Sequence, residues 1–274
     1  MTEGPGTNDL YFAGPATPSG SAWTLMAYDR DPIDFGSGAA VLAWNLDEPR
    51  GAETAVNIGT AVDGNLTIHG TPRTQTLALG GFGRSAIWLP GTNPPYNLLP
   101  PQRIEGSALV DLGTPTALTL SAVFCQTSRP NEYACLVTKQ ENPTWASPYV
   151  HAGLIVRNGR PQFQVSSGGF ASTLECPFDV GLDTLRFVHG IFDGSLPPTE
   201  RLSLWVDGAK VAEGAGPESI GWNTNEPIRI GHNSEFYAQP FGGMISTARV
   251  HALALSPVAM IESYQRLTGQ YRGL

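Results

Sequence analysis

The segment "RLSLWVDGAKVAEG", residues 201–214, reads as a strand, a two-residue turn and a returning strand. Side chains alternate between faces along a strand. Leu202, Leu204 and Val206 therefore share one face, and Ser203, Trp205 and Asp207 the other. Asp207-Gly208 is a hairpin dipeptide, since both residue types tolerate the positive φ of a tight I′ turn. Such a strand buries its leucine face in a core. A tryptophan on the opposite face requires that this face also be covered or bound.

The same pattern recurs along the chain. "HAGLIVRNGRPQFQV" (151–165) places Asn158-Gly159, the other I′ signal, between two runs of strand-forming residues. "TALTLSAVFC" (116–125) alternates, with Leu118, Leu120, Ala122 and Phe124 on one face, and "YACLVTK" (133–139) follows as its expected partner. "AAVLAWNLDEP", "TLRFVHGIFDG", "PIRIG" and "GGMISTARVHAL" add further strands. With 32 Gly and 23 Pro among 274 residues, about a dozen short strands separated by turns indicate a sandwich or barrel. One helix is expected, in "LSPVAMIESYQRLTGQ" (255–270): Ser256 suits the N-cap, Pro257 the first turn, and Gly269 the stop. Ile261, Tyr264 and Leu267 give it an apolar stripe.

Bulk properties exclude several classes. Charged residues make up 15% of the chain and the net charge is −8, with no basic run, so nucleic acid is not an expected partner. No apolar run approaches the roughly 18 residues of a spanning helix, and the first twenty residues lack the basic and apolar regions of a signal peptide. The expectation is a protein made in a cytoplasm and not inserted in a membrane. Of the three cysteines, Cys125 and Cys135 fall on consecutive expected strands and could face each other across a hairpin. The odd count favours free thiols in a reducing compartment.

Residues 1–38 are rich in Gly, Pro, Ser and Thr yet carry Tyr11, Phe12, Trp23 and Tyr28. A flexible linker lacks such aromatics, so this stretch is read as a docking arm preceding a domain at 39–274. A second aromatic set, Trp145, Tyr149, Trp222, Phe236 and Tyr237, falls in loop-like segments beside Asn142, Asn223, Asn225 and Asn233. Aromatic faces with planar amides suit a carbohydrate or protein contact surface; they suit loop packing equally.

The succession "VLAWNLDE", "FGRSAIWLPG", "TALTLSAVF", "GLIVRNGRPQFQV", "FVHGIFDG", "LSLWVDGAKVA", "IRIG" and "FGGMISTARVHALALSPVAM" resembles a laminin-G-like jelly roll of the concanavalin A-like lectin and glucanase superfamily, from about Ala39 to Tyr264. The resemblance implies an all-β fold of two antiparallel sheets, with a late strand opening at Phe241-Gly242-Gly243 and the short helix capping one end. It also implies that an aromatic at Trp205 belongs to the scaffold, covered by the arm, the helix or a neighbouring subunit. Many relatives hold calcium, for which Asn57, Asp63 and Asn65 of "NIGTAVDGN" are the candidate ligands. No other cofactor is expected.

Relatives that are glycosidases carry Glu-x-Asp-x-Glu on one strand, where period-2 spacing puts the carboxylates on one face. No Glu-x-Asp occurs here. Asp183, Asp193 and Asp207 sit beside turns, "GRSAI" lacks the last glycine of a nucleophile elbow, and the five histidines form no H-E-x-x-H pattern. The expected function is therefore non-enzymatic: a structural or binding module. Signal-less proteins resembling this one occur on phage virions as head decorations, fibres or tail components. A virion surface subunit is thus the leading expectation, with capsid subunits or its own copies as partners and cell-surface glycans as ligands. A free carbohydrate-binding adhesin and a degenerate polysaccharide hydrolase are the alternatives.

Overall fold

The computed structural model describes residues 40–46, 48, 52–70, 73–79, 82–91, 103–106, 110–129, 131–140, 150–168, 171–222, 226–233 and 239–267. The proposed arm, with Tyr11, Phe12, Trp23 and Tyr28, lies outside them, as do Trp145, Tyr149, Phe236 and Tyr237.

Two antiparallel sheets of eight strands each face one another. The first comprises β1 (Leu42–Trp44), β4 (Arg73–Leu79), β5 (Phe82–Pro90), β7 (Ala117–Ser128), β12 (Leu185–Asp193), β13 (Leu202–Val206), β14 (Ala209–Gly214) and β16 (Gly242–His251). Its order is β14-β13-β12-β7-β16-β5-β4, with β1 also on β16. The second comprises β2 (Thr54–Ala55), β3 (Leu66–His69), β6 (Arg103–Gly106), β8 (Tyr133–Gln140), β9 (Val150–Arg157), β10 (Arg160–Val165), β11 (Ser172–Glu175) and β15 (Ile228–Ile230), in the order β11-β10-β9-β8-β15-β6-β3-β2.

The alternation read from 201–214 holds. Leu202, Leu204 and Val206 join Leu118, Leu120, Ala122 and Phe124 in the core between the sheets. Phe124 meets Phe241 edge-on at 5.7 Å, and Trp44 donates from Nε1 to the Gly64 carbonyl at 2.8 Å. Both expected hairpins are tight turns with two left-handed residues: Asn158 and Gly159 at φ 47° and 80°, Asp207 and Gly208 at 52° and 79°.

Three expectations need correction. The strand read in "AAVLAWNLDEP" is only Leu42–Trp44, because Leu46 turns to φ 50°. β7 and β8, although consecutive, lie in opposite sheets, so Cys125 and Cys135 do not face each other across a hairpin. All three thiols are free and buried. The helix α1 (Pro257–Leu267) does not cap an end of the sandwich. Its Ala259 and Met260, with Leu255, pack on the outward face of the first sheet against Val123, Phe187, Ile191 and Trp205. Ser256 accepts from the Ala259 N–H at 3.2 Å, the expected N-cap bond.

Trp205 is thus covered by the chain's own helix and only 8% exposed, with Nε1 donating to Ser203 Oγ at 3.1 Å.

Candidate binding site

Helix α1 covers the outward face of the first sheet at β7, β12 and β13; the outward face of the second sheet is the candidate ligand surface. Its inward positions are apolar: Leu66, Ile68, Ile104, Ile230, Val137, Leu154, Phe163 and Val165 all enter the core. The outward positions pair across the strands in one continuous row, Thr54, Thr67, Glu105, Arg229, Thr138, Gly153, Gln164 and Thr173. Seven of the eight members of this row carry polar side chains, the exception being Gly153. Cross-strand neighbours on one face are in contact range, so the row is a band of polar groups.

Glu105 is its electrostatic centre. His232 Nε2 donates to Oε1 at 3.1 Å, Arg103 Nε lies 3.4 Å and Arg229 Nε 3.6 Å from the same oxygen, and His69 Nε2 lies 3.5 Å from Oε2. Burial by itself would raise this carboxyl. The His232 hydrogen bond and the charges of His232, Arg229 and Arg103 reverse that and hold it down at about 2. Burial keeps His232 below the ordinary histidine value.

Arg229 extends the network with a bond from Nη1 to Gln140 Oε1 at 2.9 Å and one from Nη2 to Glu226 Oε2 at 3.0 Å. The Glu226 carbonyl in turn accepts from Lys139 Nζ. Lys139 also stands 5.4 Å from the Trp222 ring, and desolvation lowers its ammonium to about 8. The band is exposed at both ends, at Thr54 and Thr67 and at Thr173; of its charged groups His69, Arg103 and Glu105 are partly exposed, with His69 34% exposed at the side chain.

Of the aromatic loop candidates, Trp222 alone is described. It is 4% exposed, donates from Nε1 to the Val110 carbonyl at 2.9 Å and belongs to the core cluster, so neither ring face is open to a ligand. Asn233 is buried, with Nδ2 donating to Gln239 Oε1 at 3.3 Å. Among the calcium candidates, Asn57 Oδ1 accepts from the N–H groups of Ala43 and Gly59, and Asn65 Oδ1 from that of Asn57. These oxygens organise the loop, and Asp63 is exposed. Among the described residues no three His, Cys, Asp or Glu side chains gather into a metal cluster.

Sequence reasoning missed Glu105, Lys139, Gln140, Arg229 and His232 as a group. The available signal was charge at outward positions of otherwise apolar strands, as in "RIEG" and "IRIG". Which strands adjoin was invisible.

The model of the concanavalin A-like lectin/glucanases superfamily, in its laminin-G-like form, matches residues 103–259, more than half of the chain. The chain belongs to this superfamily. No curated protein sequence matches it. Among solved structures, domain 4 of AbnA, a GH43 extracellular arabinanase from Geobacillus stearothermophilus in complex with arabinotriose, aligns with a TM-score of 0.57 at 13% identity, over 84% of this chain and 100% of that one. The botulinum neurotoxin serotype D ligand-binding domain, in complex with N-acetylneuraminic acid, aligns at 0.57 and 10% identity, over 86% of this chain and 52% of the toxin domain. The binding domain of Paraclostridial Mosquitocidal Protein 1 gives 0.57 and 11%, over 84% and 52%. The superfamily member described here spans about half the length of both toxin domains. At these identities the likeness is one of fold.

Proposed function

We propose that this superfamily member is a non-catalytic glycan-recognition module, with the outward face of the second sheet as its contact surface. The observation that carries the reading is the row of polar side chains that crosses that sheet, broken only at Gly153. Planar carboxylate, guanidinium and amide groups held in a rigid network match the alternating donors and acceptors of sugar hydroxyls. The two ligands named with structures of this fold, arabinotriose and N-acetylneuraminic acid, are both carbohydrates. A hydrolase needs a carboxylic acid able to give up a proton near neutral pH. Glu105, ionised down to about pH 2, does not meet that need.

Binding of the full chain to an immobilised panel of neutral and acidic oligosaccharides tests the reading. Saturable binding that falls at least about fivefold in His69→Ala and Arg103→Ala variants supports it; a folded protein that binds no glycan overturns it. A virion surface subunit is a narrower form of the same proposal, supported by the acidic surface charge and the aromatic-bearing 1–38 segment. Co-sedimentation of the chain with assembled particles tests that part.

A further inference from the structure

Lys139 and Gln140 are the last two residues of β8, and Val150 and His151 the first two of β9, with a register shift between Lys139 and Gln140. At this end of the second sheet the polar groups do not balance. The Lys139 side chain is buried, with the whole residue 2% exposed. Its Nζ donates to the backbone carbonyl of Glu226, whereas the Glu226 carboxylate binds Arg229. Among the described residues, no carboxylate makes a hydrogen bond or ion pair with Lys139. A desolvated ammonium whose direct contacts are a carbonyl and an aromatic face, with the Glu226 and Asp111 charges acting on it from further off, is costly to fold around.

Beside it lie further unmatched donors. His151 is 5% exposed, and neither ring nitrogen has a hydrogen-bond partner among the described residues. Gln140 is fully buried, and its Nε2 is likewise unpaired while Oε1 serves Arg229. The groups belong to one place. The His151 ring lies against Gly221, where an added Cβ would come within 3.0 Å of Nδ1, and the next residue, Trp222, carries Lys139 over its ring. Lys139 joins Gln140 through Glu226 and Arg229. Nearly all buried polar groups in folded proteins find partners. A group of unpaired buried donors, beside a cation that feels the charges of Glu226 and Asp111 but touches no carboxylate among the described residues, therefore points to a ligand rich in acceptors.

We propose that this end of the second sheet holds the carboxylate of an acidic sugar residue, with Lys139 as its counter-ion and Gln140 and His151 as hydrogen-bond donors. The inference rests on the glycan-recognition reading and narrows it. A carboxylate is acceptor-only and takes several N–H bonds at once. The ionised group would match Lys139, and its oxygens would match Gln140 Nε2 and one His151 N–H. Gly221 packs against the Nδ1 edge of the imidazole, where a side chain would crowd it.

The test compares oligosaccharides terminating in glucuronic, galacturonic or N-acetylneuraminic acid with the methyl esters of the same compounds, titrated against the full chain by calorimetry. At least one acid is expected to bind about tenfold or more tightly than its ester. Lys139→Met, which retains the stem, and Gly221→Ala, which crowds His151, are each expected to reduce that preference to within about twofold. Circular dichroism establishes that the variants are folded. Wild-type protein that binds acid and ester equally overturns the inference but leaves glycan recognition standing, as does binding to neutral oligosaccharides alone. Binding to no oligosaccharide overturns both. A folded Lys139→Met chain that keeps the acid preference overturns the role of Lys139. The ester comparison needs no variant, so the inference stays falsifiable if every substitution at this end unfolds the chain.

Discussion

At the scale of single residues, two hairpin glycines with nearly the same backbone separate two causes of intolerance. Gly159 and Gly208 both sit near φ 80° in I′ turns, so an alanine at either pays for a left-handed conformation, about 1–2 kcal/mol. A Cβ on Gly159 would in addition lie 2.4 Å from both Arg129 Nη2 and Asp179 Oδ1, inside an ion pair that closes over the turn. On Gly208 the nearest atom would be Tyr264 Cδ1 at 3.1 Å. Urea unfolding should therefore show Gly159→Ala less stable than Gly208→Ala by about 1 kcal/mol; equal losses would mean that backbone conformation alone decides. The same method applies to Glu105→Gln, which leaves His232, Arg229 and Arg103 without the charge they surround. A loss of about 2–3 kcal/mol is expected, because removing one partner leaves uncompensated cations in a largely buried network.

At the scale of elements, helix α1 shows what was legible and what was not. Ser256 and Pro257 marked its start in the sequence, but the expected stripe of Ile261, Tyr264 and Leu267 did not mark its packed face: Ile261 is exposed, and Ala259 and Met260, with Tyr264, make that face. Its docking place could not be read, because that depends on which strand faces lie side by side. Trp205 held half of the answer: a tryptophan outward on β13 required a cover, and Ala259, Met260 and Leu255 supply it. The hairpins at Asn158-Gly159 and Asp207-Gly208 were legible for a local reason, since two adjacent residues determine the turn. The β7–β8 relation was not, since the short connection crosses between sheets and no local signal marks a crossing. The polar band was illegible on the same ground: Glu105 and Arg229 are far apart in sequence and become neighbours only through β6–β15 pairing. Two substitutions test the helix. Ser256→Ala removes the N-cap bond and should cost about 1 kcal/mol. Trp205→Ala, which empties the surface beneath the helix, should cost about 3–5 kcal/mol. A Trp205→Ala loss no larger than that of Ser256→Ala in urea unfolding would show that the helix contributes little to the sandwich.

At the scale of the whole molecule, the buried histidines and Glu105 act in one direction. Burial, aided by the charge of Lys139, holds His151 down at about 4, and burial, aided by His251, holds His189 at about 3. Unfolded histidine takes its proton near 6.5. Below that value the unfolded chain binds protons that the folded chain refuses, so stability falls as pH falls from about 6.5 toward the folded values. Glu105 adds to the loss lower down. Its folded value of about 2 lies below the ordinary 4.5, so its contribution is present above 4.5 and disappears as pH drops toward 2. Each group contributes up to about 1.4 kcal/mol per pH unit across its own interval. Urea unfolding from pH 7.5 to 3.5 should thus give a stability curve that declines first below about 6.5 and more steeply below 4.5. His151→Gln should make the upper part shallower, with His189 supplying the slope that remains, and should leave the decline below about 4 in place. An unchanged upper limb in that variant would place the histidine contribution at His189, whereas a shallower one would show that burial at the end of the second sheet keeps the His151 imidazole neutral.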